Sequence, residues 1–532
     1  MSAIDPASLP DEPRPSISPL RVLVALLIVA LVAGGAYGIR EVTRTDPAMA
    51  KVKGGRGPWF APYVDATLTP TIAFQDPSAN PAGNAVLGFV VAGREDDQRC
   101  TPTWGAYHTL DEAAVALDLD RRVAQLRGQG RDAIISFGGQ ANDELAVACS
   151  SADELKQAYA ETIERYDADT VDFDVEGDAL RDTAANTRRA EAVKALQDEI
   201  RARDGRLAVW LTLPVTPDGL QDDALAVVRA MLDARVDLAG VNIMAMDFGV
   251  ESAAKDMRGA ILSATKATRE QLAAVFAQAG LSLNTRNVWR KVGVTIMIGQ
   301  NDVAGERVSV EDAETVAQYA LDHGLGRAAI WSLNRDQQCG ATFAVIGQHS
   351  NTCSGVRQKP LAFSRAFAKL RGSVGAAASS VTTRDLLPEV SSDSSTADDP
   401  ARSPYPIWQP EQAYREGYKV VWHRAVYVAK WFSQGQTPDA QNVPAGQNPW
   451  RLIGPVLKTD RAPRIPTLPA GTHPKWSAGA VYTAGNKVLY RGLPYSAQWY
   501  TQGDVPGEPG PNGTPSPWKP LYRIPGEPAP TE

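Results

Sequence analysis

Between residues 57 and 371, short apolar runs alternate with longer stretches whose apolar residues recur every three to four positions. That alternation is the pattern of an α/β chain with a parallel sheet. Eight strand candidates lie near Trp59 to Val64, Val86 to Ala92, Ala133 to Phe137, Thr170 to Glu176, Ala208 to Leu213, Gly240 to Met246, Gly293 to Ile298 and Ala328 to Leu333. Amphipathic stretches such as Asp111 to Leu126, Asp153 to Tyr166, Ala190 to Ala202 and Val310 to Leu321 fall between them. Eight such units predict a (β/α)8 TIM barrel, in which chemistry gathers at the C-terminal ends of the strands. The Ser-, Ala-, Thr- and Asp-rich stretch at 372–403 cannot bury a core and reads as a linker.

Beyond the linker the pattern changes. The last 132 residues carry 16 of the 27 Trp and Tyr of the chain. Trp408, Tyr414, Gly417, Val420, Tyr427, Ala429, Trp431, Gln434, Gly435, Pro438, Pro449 and Trp450 recur 68 residues later as Trp476, Tyr482, Gly485, Val488, Tyr495, Ala497, Trp499, Gln502, Gly503, Pro506, Pro517 and Trp518. A gapless match of this kind is a duplication. It predicts two small all-β modules, at 404–456 and 473–522, joined by a linker at 457–472 and followed by a tail at 523–532. Some of the aromatics must form each tiny core, but so many leave several exposed, and flat exposed rings suit the apolar faces of sugars. Two weak binders on one chain gain avidity on a repetitive polymer.

The fourth strand candidate carries the chemistry. Asp169-Thr170-Val171-Asp172-Phe173-Asp174-Val175-Glu176 threads four acids through an apolar run. Side chains alternate faces along a strand, so Asp172, Asp174 and Glu176 share one face roughly 6 to 7 Å apart, while Val171, Phe173 and Val175 pack the other. Like charges held together in a partly dry site raise at least one pKa, which makes a general acid at neutral pH. A solvated acidic face would not be interleaved with Val and Phe. A structural acid cluster or a cation site is the alternative, although a metal site would usually bring His or Cys ligands, and none lie near.

Charge and cysteine content narrow the setting. A net charge of −7 with no basic stripe argues against DNA or RNA as a partner. Val22 to Ile39 form an uninterrupted apolar stretch between Arg21 and Arg40, just long enough to span a bilayer. It reads as a transmembrane anchor at 22–39, after a cytoplasmic tail at 1–21 and before a juxtamembrane linker at 40–56. Cleavage near Ala36-Tyr37-Gly38 would make it a signal peptide instead. Arg14 and Arg21 precede the stretch and Arg40, Arg44, Lys51, Lys53 and Arg56 follow it, a count that alone would keep the rest in the cytoplasm. Large domains often override it. Cys100, Cys149, Cys339 and Cys353 allow three pairings; Cys100 with Cys149 and Cys339 with Cys353 is expected, outside the cell, with four buried free thiols the alternative. The histidines are scattered, and neither a metal, nor an organic cofactor, nor an obligate protein partner is implied.

The motifs resemble glycoside hydrolase family 18, the chitinases, over roughly residues 57–371. Asp169 to Glu176 is similar to the family signature on barrel strand four. Ser136-Phe137-Gly138-Gly139 resembles its S-x-G-G on strand three, and Asn242-Ile243-Met244-Ala245-Met246-Asp247 its strand-six motif. Trp331 matches the Trp that floors the central sugar subsite, and the wording around Ile298-Gly299-Gln300-Asn301-Asp302 resembles the branch of archaeal and bacterial modular chitinases. Both tail modules look like the chitin-binding modules of carbohydrate-binding families 5 and 12, with Trp431 and Phe432 in one, and Trp499 and Tyr500 in the other, as the binding rings.

The resemblance implies a retaining, substrate-assisted hydrolysis of chitin or chito-oligosaccharides. Glu176 would be acid and base, Asp174 would orient the acetamido group, and Asp172 would share a proton with Asp174. Trp331, Asp247, Met244 and Gln300 would contact the sugar. Many members place Tyr immediately before the strand-six Asp, where this chain has Met246, so that contact must come from elsewhere or be absent; Tyr63, near the end of strand one, is a candidate substitute for that hydroxyl. An open, endo-type groove is expected. An endo-β-N-acetylglucosaminidase acting on other glycans and a non-catalytic chitin-binding adhesin are the alternatives.

Overall fold

The computed structural model describes residues 57–528 apart from 96–98, 282, 341–348, 373, 375–396, 441–446, 466, 509 and 511–514. The apolar stretch at 22–39, its flanks and most of the linker at 372–403 lie outside the described residues. Among the described residues no helix is long and apolar enough to cross a membrane.

Eight parallel strands close on themselves. They are β1, in two pieces at Trp59–Phe60 and Tyr63–Asp65, β2 (Ala85–Ala92), β3 (Ala133–Gly138), β4 (Thr170–Asp174), β5 (Ala208–Pro214), β6 (Leu238–Ala245), β7 (Val292–Met297) and β8 (Arg327–Trp331). Each pairs in parallel with the next, and β8 returns to β1 through Trp59 opposite Arg327 and Phe60 opposite Ala328. The predicted TIM barrel is present, and every strand candidate lies on a barrel strand.

Alternation decides what each strand residue meets. Val171, Phe173 and Val175 of the strand-four segment face outward into the large core between strands and helices, where Phe173 stacks on Phe137 at 5.4 Å. The alternate residues point into a barrel interior only wide enough for side chains. Toward the N-terminal ends of the strands that interior is filled by Trp59, Val86, Ile134, Ala208, Trp210 and Ala329. Nearer the C-terminal ends it becomes polar.

The outer helices start where side chains can cap them. Thr109 with Glu112, and Ser309 with Asp312, form reciprocal capping boxes at Leu110–Ala116 and Val310–His323. The single helix predicted over Asp111 to Leu126 is two helices, Leu110–Ala116 and Leu119–Gly128. Between them Asp118 takes a left-handed conformation, φ 50°, which a short polar side chain tolerates. The apolar periodicity runs through this break because both helices bury the same face, with Leu110, Ala113, Leu119 and Val123 all in the core.

The two tail modules are built alike. Antiparallel strands Lys419–Trp422, Ala425–Ala429 and Trp450–Pro455 form the sheet of the first, and Lys487–Tyr490, Leu493–Ala497 and Trp518–Pro520 that of the second. The 68-residue offset extends to hydrogen bonds: Trp450 Nε1 donates to Gln436 O at 2.8 Å and Trp518 Nε1 to Asp504 O at 2.9 Å. The first module packs on the barrel at the helix break. Asp118 accepts from Tyr405 Oη at 2.7 Å and Lys419 Nζ at 2.5 Å, and Arg121 donates to Pro455 O at 2.7 Å and Asp460 Oδ2 at 2.8 Å. The backbone there is so close that a Cβ on Gly454 would sit 2.5 Å from Arg121 O.

Candidate active site

The deepest acid of the row is fully satisfied. Asp172 and its partner Arg327, from the start of β8, are both completely buried, with Arg327 Nη1 donating to Asp172 Oδ1 at 2.6 Å. Thr212 Oγ1 donates to the same oxygen at 2.6 Å, and Tyr63 Oη and Ser136 Oγ each donate to Oδ2 at 2.8 Å. Four donors from four other strands hold one carboxylate, and the guanidinium lies against the rings of Trp59, Tyr63 and Trp210. A buried pair of this kind is tolerable because its oxygens are all engaged.

The next two acids differ from it and from each other. Asp174 is buried, and its Oδ1 has no hydrogen-bond partner. Burial, then the negative charges of Glu176, Asp172 and Glu144, push its carboxyl well above the usual range, with Arg327 opposing. Glu176, two residues beyond Asp174 at the mouth of the barrel, is pushed up to about 7, first by burial and then by Glu144 and Asp247. One face therefore carries an ion-paired carboxylate, an acid with a raised carboxyl and a free oxygen, and an acid poised near neutrality. The four donors all go to Asp172, and the free oxygen of the two acids is on Asp174.

Around this row the mouth is aromatic. Trp331, half-buried at the end of β8, stacks on Phe89 at 5.6 Å and meets Tyr63 edge-on at 6.1 Å. Met244, at the end of β6, falls on the same face as the interior residue Asn242, and Asp247 follows it with φ 49°. Burial raises the Asp247 carboxyl, while Val303 N donates to its Oδ1 at 3.0 Å and opposes the rise.

Two expectations are corrected. Tyr63 does not replace the missing strand-six hydroxyl, because its own hydroxyl donates to Asp172 and accepts from Arg327 Nη2 at 3.0 Å, at the floor of the site. Gln300 is not free for a sugar. It is 2% exposed, and its amide donates to the carbonyls of Asn301, Val303 and Glu306, while its oxygen accepts from Arg307. It staples the loop after β7. Glu306 of that loop accepts from Phe248 N and Gly249 N, and Asn301 accepts from Asp247 N, so the β6 and β7 loops hold each other.

The chain is similar in sequence to known chitinases. It is 34% identical over 288 residues to a probable bifunctional chitinase/lysozyme of Escherichia coli (strain K12), a match covering 52% of this chain and 31% of that protein. It is 32% identical over 287 residues to endochitinase 11 of Metarhizium anisopliae, covering 52% of each. The chain thus spans about a third of one curated relative and about half of the other. Among solved structures, the catalytic domain of a hyperthermophilic chitinase from Pyrococcus furiosus aligns with a TM-score of 0.50 at 26% identity, over 59% of this chain and 94% of that one. The barrel is chitinase-like. The resemblance to family 18 chitinases read from the motifs holds in both sequence and fold, and the sequence model of carbohydrate-binding module family 5/12 matches residues 475–519.

Outside the chitinase-like barrel, the four rings expected on the modules are exposed: Trp431 at 42%, Phe432 at 64%, Trp499 at 46% and Tyr500 at 63%. Both expected disulfides, Cys100–Cys149 and Cys339–Cys353, are formed. Among the described residues no group of three or more His, Cys, Asp or Glu is arranged to hold a metal ion. The sequence reading missed Arg327, Thr212 and Phe89. Arg327 left a signal: an arginine opening an apolar strand must find a buried anion.

Proposed function

We propose that the chain is a chitinase that cuts β-1,4-linked N-acetylglucosamine polymers. The observation that carries this reading is Glu176, poised near neutrality at the mouth of a chitinase-like barrel, beside the unpartnered Oδ1 of Asp174. Glu176 donates its proton to the glycosidic oxygen as the C1–O bond breaks, and the acetamido oxygen of the same sugar closes on C1 to give an oxazolinium ring. Asp174 Oδ1 accepts the acetamido N–H, and the Asp172–Arg327 pair lies behind it. Glu176, now a carboxylate, takes a proton from the water that opens the ring, and configuration is retained. Trp331 and Phe89 offer the ring face beneath the sugar. Attack is endo, along an open groove, and the two modules hold the polymer surface.

The N-terminal apolar stretch and the two disulfides support an extracellular or cell-surface location. Protease accessibility on intact cells tests this. Hydrolysis of chito-oligosaccharides and colloidal chitin, wild type beside Glu176→Gln, tests the activity. The expected result is β-anomeric products from the wild type, and a loss of at least about 10³-fold in kcat for the variant with chitin binding kept. A wild type that binds chitin and cuts nothing overturns the enzymatic reading, and exclusive release of dimers from one chain end overturns the endo reading.

A further inference from the structure

The loop after β3 brings a further acid to the row. Glu144 is 7% exposed, and one of its oxygens accepts from Arg189, which is completely buried on the helix Thr183–Ala202. Its other oxygen, Oε1, is buried and has no hydrogen-bond partner. The backbone at the end of β3 makes this approach possible: a Cβ on Gly138 would lie 2.1 Å from Asp174 O and 3.4 Å from the Glu144 carboxyl carbon. The anchor reaches the acid-bearing loop as well. Arg189 donates to Asn186 Oδ1 at 2.5 Å, and Asn186 Nδ2 donates to the carbonyls of Ala179 and Leu180, in the turn that directly follows Glu176.

A Glu–Arg pair that served only to fasten a helix would gain by engaging both oxygens, since a buried unpaired acceptor is costly. Leaving Oε1 bare among other carboxyls has a consequence for them. We propose that Glu144 is a positioning residue of the hydrolytic site: anchored through Arg189, its carboxylate keeps the proton on Glu176 until the glycosidic oxygen accepts it. This rests on the chitinase reading above. Glu144 is the largest charged contribution to the raised carboxyl of Glu176 after burial, ahead of Asp247.

The groups that could imitate the effect are few. Asp174 on β4 and Asp247 after β6 face Glu176 beside Glu144. Facing Glu144 itself are Arg189 and Asp182, with Tyr159 on the helix Ala152–Arg165. Burial raises the Glu144 carboxyl, with Arg189 opposing the rise, and it is the ion pair with the fully buried Arg189 guanidinium that favours the carboxylate form. Removing that negative charge makes Glu176 ionise at lower pH.

The test is the pH profile of kcat/KM on a soluble chito-oligosaccharide for the full chain, wild type, Glu144→Gln and Glu144→Asp, together with carbon NMR titration of the Glu176 carboxyl, assigned with Glu176→Gln. Glu144→Gln is expected to move the alkaline limb and the NMR midpoint about one pH unit toward acid, with the acid plateau kept within about twofold and Glu144→Asp restoring most of the shift. A lowered plateau with an unmoved limb means a structural role and overturns the proposal. If Glu144→Gln does not fold, carbon NMR titration of the wild-type Glu144 carboxyl, assigned with Glu144→Asp, decides: a Glu144 signal that responds at the Glu176 midpoint supports the proposal, and one that is silent across that midpoint overturns it. A wild type without turnover fails the chitinase reading, while the NMR titration still reads the charge effect.

Discussion

The two tail modules are copies of one fold in two different settings. They share the 68-residue register, the buried Trp450 and Trp518 with matching indole bonds, and exposed ring pairs at the same positions. They differ on the face that in module one meets the barrel. Tyr405, Gly454 and Asp460, which dock module one, correspond to His473, Tyr522 and Pro528. At the Gly454 position no side chain fits against Arg121, whereas Tyr522 folds back onto its own module, its hydroxyl 2.8 Å from that of Tyr495. Duplication has kept what makes the fold and the ring pair and changed which copy meets the barrel; the segment after module two is tied instead to module one, where Lys419 N donates to Gly526 O at 2.8 Å. Module one is an extension of the barrel, and module two lacks the residues for that contact.

Breaking the contact gives the largest effect. Arg121 and Asp460 are nearly buried, and Asp118 is held below the ordinary carboxylate range because Lys419 and Arg121 outweigh the effect of its burial. Arg121→Ala leaves two buried carboxylates short of a partner, which costs about 3 kcal/mol of docking, roughly a hundredfold or more in the docked fraction. Limited proteolysis between barrel and module one, with small-angle scattering of the full chain, should show module one released. Unchanged protection would mean that apolar packing and not the ion pairs holds it.

How much of this was legible depends on the range of the interactions. The barrel was readable because its signal is local: eight apolar runs with helical spacing between them. The acid row was readable because period-two alternation assigns three acids to one face without any knowledge of the partners. Arg327 escaped because the apolar run on β8 begins one residue later, and its partner Asp172 is 155 residues away. The helix break at Asp118 escaped for a similar reason: its conformation is secured by donors 287 and 301 residues further on. Gln300 and Tyr63 were placed at the mouth by resemblance. Their donors go instead to loop carbonyls and to Asp172, which spacing along one strand could not reveal.

Next in size is the effect of the rings. Trp431→Ala and Trp499→Ala each remove a half-exposed face that carries no other duty in the core, so each should weaken retention on insoluble chitin by about ten- to hundredfold, through lost stacking and lost avidity. Turnover of a soluble trimer should stay within about twofold. Sedimentation with chitin particles and a soluble-substrate assay, run on the same preparations, separate the two. A parallel loss of soluble activity would place a module ring inside the catalytic groove.

A contrast in pH follows from the chemistry of the two regions. Glu176 must be protonated to act as the acid, and its carboxyl sits at about 7. Activity is therefore full below that pH and lost above it, by about tenfold in kcat/KM between pH 6 and pH 8. Module two offers the exposed ring faces of Trp499 and Tyr500, and stacking on them does not depend on a carboxyl, so retention by module two should be flat across that range. A binding curve that fell with the activity would mean that the polymer is held mainly by the barrel.

The smallest expected effect is the most direct test of whether fixing one copy matters. If module one is an extension of the barrel, its rings hold the polymer at a set distance from Glu176, and Trp431→Ala should lower hydrolysis of insoluble chitin by about two- to threefold more than Trp499→Ala at equal bound enzyme. Lys419→Met removes the docking charge that bonds Asp118 and lies 5.3 Å over the Tyr405 ring but keeps an apolar stem of similar length, and so loosens the contact without unfolding the module. In that background the difference between the two ring variants should shrink toward none, because module one would then no longer be held at a set distance from the barrel. Persistence of the difference after undocking would mean that the rings themselves differ in strength, Phe432 against Tyr500 beside each Trp, and that the fixed position of module one contributes nothing to turnover.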